Sequence, residues 1–124
     1  MSSTIREFTD LKAWQECHKV VLMIYTISKN FPSDEKFGLT SQMRRAAVSI
    51  TSNIAEGFGR QGQKEKAQFY MMGRGSILEL KNQLLIAKDI GIIKNEEYDT
   101  ISEQTTTAHK VLNGLIKSIN GYGK

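Results

Sequence analysis

The sequence predicts an all-α chain folded as an antiparallel up-down-up-down four-helix bundle, and three observations carry that expectation. Apolar residues recur every three to four positions through long segments, β-branched alternation is scarce, and the single proline, Pro32, separates two of those segments. With 124 residues and 40% hydrophobic content, the chain suits one domain over residues 1–124 with a modest core, and leaves no room for a second domain of ordinary size.

The first helix is expected over about residues 10–30. Asp10 offers an N-cap, Leu11, Trp14, Val21 and Tyr25 follow as one buried stripe, and Asn30-Phe31-Pro32 stops the helix. Trp14 and Tyr25 are thereby expected in the core. The second helix is expected over 34–58. Ser33 caps a first turn whose Asp34 and Glu35 match the helix dipole, while Gly38 permits a start as late as Thr40. At about 100° per residue, Leu39, Met43, Ala46, Ala47, Ile50 and Ile54 share one face, enough to fill this helix's part of the core. Gly57, Gly59 and Gly62 then break the pattern around Arg60 and set a connection near 58–62.

The third helix, over 63–90, carries Phe69, Ile77, Leu80, Leu84 and Ala87 on one face and Met71, Leu78 and Leu85 on another, a wide apolar arc that Gly91 ends. Asn95, with Glu96 and Glu97 behind it, caps the fourth over 95–119, whose stripe is Tyr98, Ile101, Ala108, Leu112, Leu115 and Ile119. Short links between long helices favour up-down order.

Composition narrows the function. The N-terminal MSSTIREFTD holds Glu7 and Asp10 and lacks an apolar signal region, and the longest apolar run, Val20 to Tyr25, is too short to span a bilayer. A cytoplasmic protein with no membrane partner is expected. Cys17 is the sole cysteine, which excludes an internal disulfide and a CxxC knuckle and reads as a core thiol in a reducing compartment. Cys17 and His18 point about 100° apart on a helix and His109 is distant in sequence, so neither a metal site nor a cofactor is expected. Glu35, Glu56 and Glu79 come with no nucleophile or oxyanion donor, which makes an enzyme the weakest class. GRQGQK, Gly59 to Lys64, lacks the preceding strand and the spacing of a phosphate loop, and reads as an interhelical turn.

The charge is unevenly placed. The chain carries a net +4, yet from Lys36 to Lys88 nine bases face three acids, while each flank holds four bases and five acids. Arg44, Arg60, Lys64, Lys66, Arg74, Lys81 and Lys88 are the candidate phosphate contacts within that central excess. A solvated face accounts for the same residues, and no RNP motif, helix-turn-helix signature or basic-aromatic interleaving points to base readout.

The second helix adds a separate signal. Gln42, Arg45, Ser49, Ser52, Asn53 and Glu56 form a polar stripe, and Arg44, Val48, Thr51 and Ala55 a third side, so the two adjacent arginines point apart. Arg45 has the planar fork for a carboxylate such as Glu56 or Glu79, and three turns of helix separate it from Glu56, so any such pair joins helices or subunits. Ala46, Ala47, Ser49, Ser52, Ala55 and Gly57 allow another helix to approach closely, and Val48 and Ala55 are apolar off the core face. These positions predict either a helix interface beyond the bundle or a tolerant solvent face.

Three segments, DLKAWQECHKVVLMIYTISKNFP, FGLTSQMRRAAVSITSNIAEGFGR and QFYMMGRGSILELKNQL, together resemble the four-helix-bundle family once labelled S23 ribosomal protein. QMRRAA, SNIAEG and GSILEL are specific in combination, and the resemblance covers roughly residues 8–115. That family includes proteins encoded in intervening sequences of bacterial 23S rRNA genes, and is related to the accessory variability determinant of diversity-generating retroelements. The resemblance implies a barrel-like homopentamer with a basic surface, which in the retroelement relatives engages nucleic acid and a partner reverse transcriptase. It also implies that Arg44, Arg45, Asn53, Glu56, Gly57 and Arg60 sit at or near packing and subunit contacts. Residues and resemblance together predict a non-enzymatic homo-oligomeric scaffold or accessory protein that associates with RNA or DNA, RNA favoured. The alternative is a structural or protein-partner module whose basic residues serve solubility.

Overall fold

In the computed structural model, which describes residues 4–120, Asp10 closes an isolated 3-10 turn, Phe8–Asp10, and does not cap the first α-helix. Its Oδ2 accepts the backbone N–H groups of Arg6 and Glu7, both at 3.0 Å, so the carboxylate is already engaged when α1 (Lys12–Ser28) begins. The second helix is displaced in the same way. Ser33–Glu35 forms another short 3-10 turn, and α2 spans Leu39–Phe58, five residues later than an Asp34 start. Its cap comes from upstream: Glu35 Oε1 accepts the Leu39 N–H at 3.1 Å and places a negative charge at the positive end of the helix.

The remaining helices are α3 (Gln63–Asp89) and α4 (Asn95–Asn120). Gly91 takes φ 83°, the left-handed region that glycine enters without steric cost, and the Ile92 N–H folds back onto the Ala87 carbonyl at 2.9 Å to close α3. Glu97 Oε1 accepts the Lys94 N–H at 2.9 Å and seals the start of α4.

Each helix packs against two others, α1 on α2 and α4, and α3 on α2 and α4, which makes a four-helix bundle around one apolar core. All six core positions expected on α2 are buried. They meet Cys17, Val20 and Ile24 of α1, Tyr70, Ile77, Leu80 and Leu84 of α3, and Leu112 of α4. Burial pushes the Cys17 thiol up to about 12, so it stays protonated and unreactive. A polar tie joins α1 to α4: Gln104 Nε2 donates to Glu16 Oε1 at 2.9 Å and to the Glu16 carbonyl at 3.0 Å. These bonds, with Lys19 at 3.1 Å, hold the buried Glu16 carboxyl below its ordinary value.

Two aromatic expectations change. Trp14 packs against the core only half-buried, stacked on His18 at 4.4 Å between ring centres, and Tyr25 is exposed. Ile24 takes the core position, and the next residue along the helix is carried round to the outer side of α1. The second apolar face of α3 also lies outside: Met71, Leu78 and Leu85 are exposed, as are Met72, Ile86 and Ile90.

Candidate nucleic-acid interface

Arg74, Lys81 and Lys88 stand seven residues apart on α3, so two helical turns, about 10.5 Å, separate successive charges on one ridge. All three are half-buried where α3 meets α4, and each ends on a neutral group of that helix. Arg74 Nη1 donates to Asn113 Oδ1 at 3.0 Å, Lys81 Nζ donates to His109 Nδ1 at 2.9 Å, and the Lys88 ammonium lies 4.6 Å above the Tyr98 ring. An ammonium group only donates, so His109 presents an unprotonated Nδ1. Burial first, then Lys81 and Arg74, holds the His109 pKa below its ordinary 6.5 and keeps the ring neutral.

The consequence is electrostatic. Neutral partners fix the three side chains without cancelling their charge, and among the described residues none of them forms an ion pair. Each of the three is only half-buried, so part of each side chain remains open to water and to a phosphate. Lys81, Tyr98, Ser102 and Thr106 also line a small cleft of about 160 Å³, so two hydroxyl donors and a phenol stand beside the middle cation.

The other four candidate bases have different surroundings. Arg44 Nε donates to Ser28 Oγ at 2.8 Å and its guanidinium lies 4.7 Å above Tyr25, a tie between α1 and α2 on the seam opposite the ridge. Its surroundings are hence a hydroxyl and an aromatic ring, not the small apolar residues of its own helix. Arg60 pairs with Glu56 at 3.0 Å and covers Phe69 at 4.6 Å, so its charge is compensated locally. Lys66 Nζ donates to the Phe58 carbonyl at 2.7 Å and to that of Gly57 at 3.4 Å, closing the last turn of α2 where the helix dipole is negative. Lys64 is exposed and makes no side-chain hydrogen bond among the described residues.

The expected interface set also divides. Ser49, Asn53 and Gly57 are used inside the bundle, on the α2–α3 side. Ser76 Oγ donates to Ser49 Oγ at 2.8 Å across the seam, and Asn53 Nδ2 donates to the Ser49 carbonyl at 2.9 Å. A Cβ on Gly57 would stand 2.7 Å from the Tyr70 ring. An Arg45 pair with Glu56 or Glu79 inside the chain is absent: Arg45 is exposed, Glu56 takes Arg60, and Glu79 accepts Gln83 Nε2 at 3.1 Å. The i,i+4 geometry makes Arg60 the nearer partner for Glu56. Val48 remains exposed and Ala55 half-buried on the outside of α2.

The sequence offers Tyr98 as a stripe residue and His109 as an isolated imidazole, and their part in setting the ridge, with that of Asn113, emerges only from the fold. The seven-residue spacing of Arg74, Lys81 and Lys88 was the available signal, since it puts the three on one side of any helix. Among the described residues no helix is long and apolar enough to cross a membrane.

Fold and ridge together define a small four-helix bundle that carries uncompensated positive charge along one of its helical seams. The chain belongs to the 23S rRNA-intervening sequence protein family, whose sequence model matches residues 9–114. Among solved structures it is similar to a protein of unknown function from the S23 ribosomal protein family of Bacteroides thetaiotaomicron VPI-5482. The two share 22% sequence identity with a TM-score of 0.78, over 85% of this chain and 95% of that one, which is a likeness of fold. No curated protein matches the chain.

Proposed function

We propose that this protein is a cytoplasmic, non-enzymatic scaffold, an up-down bundle assembled as a homopentamer, that holds structured RNA in preference to DNA by its phosphate backbone. The observation that carries the reading is the Arg74–Lys81–Lys88 ridge, held by neutral α4 partners and, among the described residues, in no ion pair. A family named for a 23S rRNA intervening sequence supports an RNA ligand. Repetition of the ridge around a ring would multiply a modest charge into a broad, sequence-blind field.

Fluorescence anisotropy with a structured RNA and a matched DNA duplex, across a salt series, tests the reading. Affinity should fall steeply with salt, and the triple variant Arg74→Gln, Lys81→Gln, Lys88→Gln should flatten the log–log slope by about 2–3, roughly one unit per lost phosphate contact. An unchanged slope in a folded triple variant overturns the ridge as the site. Flat or absent binding of the wild type at low salt favours the second reading, a protein-partner module, for which the exposed Met72, Leu78 and Ile86 on α3, with Ile90 just past its end, are the specific observation.

A further inference from the structure

Phe37 is the most conspicuous unpartnered side chain of the molecule, a large apolar ring 90% exposed on the connection between α1 and α2. It is not loosely placed. The Gly38 N–H bonds the Glu35 carbonyl at 3.0 Å behind it, and the Lys36 ammonium lies 5.5 Å over its ring, so an apolar knob and a positive charge are presented together. Exposure of a whole phenylalanine is costly, and its burial against a partner is strongly favourable.

Two grooves flank the C-terminal half of α1. On the α2 side Tyr25, Phe37 and Val48 stand among Lys36, Arg44 and Arg45, and no carboxylate lines that surface. On the α4 side Leu22, Met23, Ile27 and Ile101 floor a groove of about 480 Å³ rimmed by Glu96 and Glu97, and no basic residue lines it. Leu22 in that floor is 55% exposed.

We infer that a second copy of this chain fills the acidic groove, with Phe37 of one copy seated against Leu22, Met23 and Ile27 of the next and Lys36 beside its Glu96 and Glu97. The inference rests on the homo-oligomeric reading above and names the surface that carries it. Shape and charge both match: a protruding ring meets an apolar trough, and a cationic surround meets an anionic rim. The contact is heterologous, because the knob and the trough are different patches. Both border the same stretch of α1, so successive copies keep the same height along the bundle. They lie on neighbouring sides of the bundle rather than opposite ones, so each step turns, the geometry a closed ring of copies requires. Arg45 and Val48, exposed beside Phe37, fall within this contact as neighbours of the knob.

The test is light scattering after size exclusion on the wild type and on Phe37→Asp, with circular dichroism to verify folding. It is joined to oxidative cross-linking of co-expressed Phe37→Cys and Leu22→Cys copies carrying different tags. The expected result is an oligomeric wild type, a folded and monomeric Phe37→Asp, and a disulfide between the two tags that neither cysteine variant forms alone. Cys17, buried and protonated, stays out of that exchange. A monomeric wild type overturns the homo-oligomeric reading and this contact with it. An oligomeric wild type whose mixed copies give no cross-link, and whose Phe37→Asp form stays oligomeric, overturns the contact and leaves the oligomer standing.

Discussion

The two long seams of α3 are built on opposite terms. Against α2 the contact is close and, apart from Lys66 on the last-turn carbonyls of α2, uncharged: Gly57 admits the Tyr70 ring, Gly73 lets its backbone come within reach of the Ile50 carbonyl, and Ser76 and Ser49 share a hydroxyl hydrogen bond. Against α4 the contact runs through long basic side chains that end on an amide, an imidazole and a phenol ring. Close packing of small residues fixes the distance between helices and leaves nothing for a ligand to grip. Long side chains with neutral partners fix charges at a separation set by the helix repeat, and leave those charges for something outside the chain. One seam holds the bundle together, and the other is where it can act.

The most damaging way to break that contrast is to add a single carbon to the close seam. In Gly57→Ala the new Cβ would lie 2.7 Å from Tyr70 Cε1 and 3.0 Å from the Phe69 Cβ, and Tyr70 is buried in the core. Alanine is the better helix former, yet overpacking should win, and the variant is expected to lose about 1–3 kcal/mol in urea unfolding. A variant as stable as the wild type would mean that α2 and α3 are not held as closely as these distances require.

The close seam was only half legible beforehand. Helical spacing and six apolar residues placed α2 and its core face correctly, because burial follows the 3.6-residue period whatever the neighbour is. The small residues pointed either to a helix beyond the bundle or to a tolerant solvent face, and the structure uses Ser49, Gly57 and the neighbouring Asn53 against α3, since a stripe of Ser, Ala and Gly says that something comes close and not what. Starts at Asp10 and Asp34 are too early for a related reason, while the later start that Gly38 permits for α2 brackets the observed Leu39. Asp10 and Ser33 look like caps in sequence, but Asp10 satisfies N–H groups upstream of itself, and Glu35 caps from outside α2. On the ridge, the bases were visible as residues and their neutral partners were not, because pairing Arg74 with Asn113 requires knowing that α3 and α4 lie side by side.

The same substitution elsewhere on α3 should have the opposite sign, which sharpens the comparison. Gly75 is exposed in the middle of the helix, and a Cβ there meets nothing within 4 Å. Gly75→Ala removes backbone freedom from the unfolded chain without a clash, and should stabilise by about 0.5–1 kcal/mol in the same urea titration. Equal responses at Gly57 and Gly75 would show that helix propensity, not proximity, governs both positions.

The smallest expected effect probes the charged seam through His109. Its folded pKa lies below the ordinary 6.5, because burial, Lys81 and Arg74 all oppose a second positive charge there. As pH falls below 6.5 the unfolded chain takes up the proton before the folded one does, so stability intact above that pH is progressively lost towards the folded value. Protonation also ends the Lys81 to Nδ1 hydrogen bond, since imidazolium has no acceptor. His109→Gln keeps an acceptor for Lys81 and removes the titration, so between pH 7.5 and 5.5 the wild type should lose more stability than the variant in paired urea melts. Polyanion affinity should move the other way, rising more in the wild type as the added proton joins the ridge and a phosphate favours it. Parallel stability curves would sever His109 from the cations of α3, whereas diverging curves without a matching gain in affinity would leave it in the seam and off the binding surface.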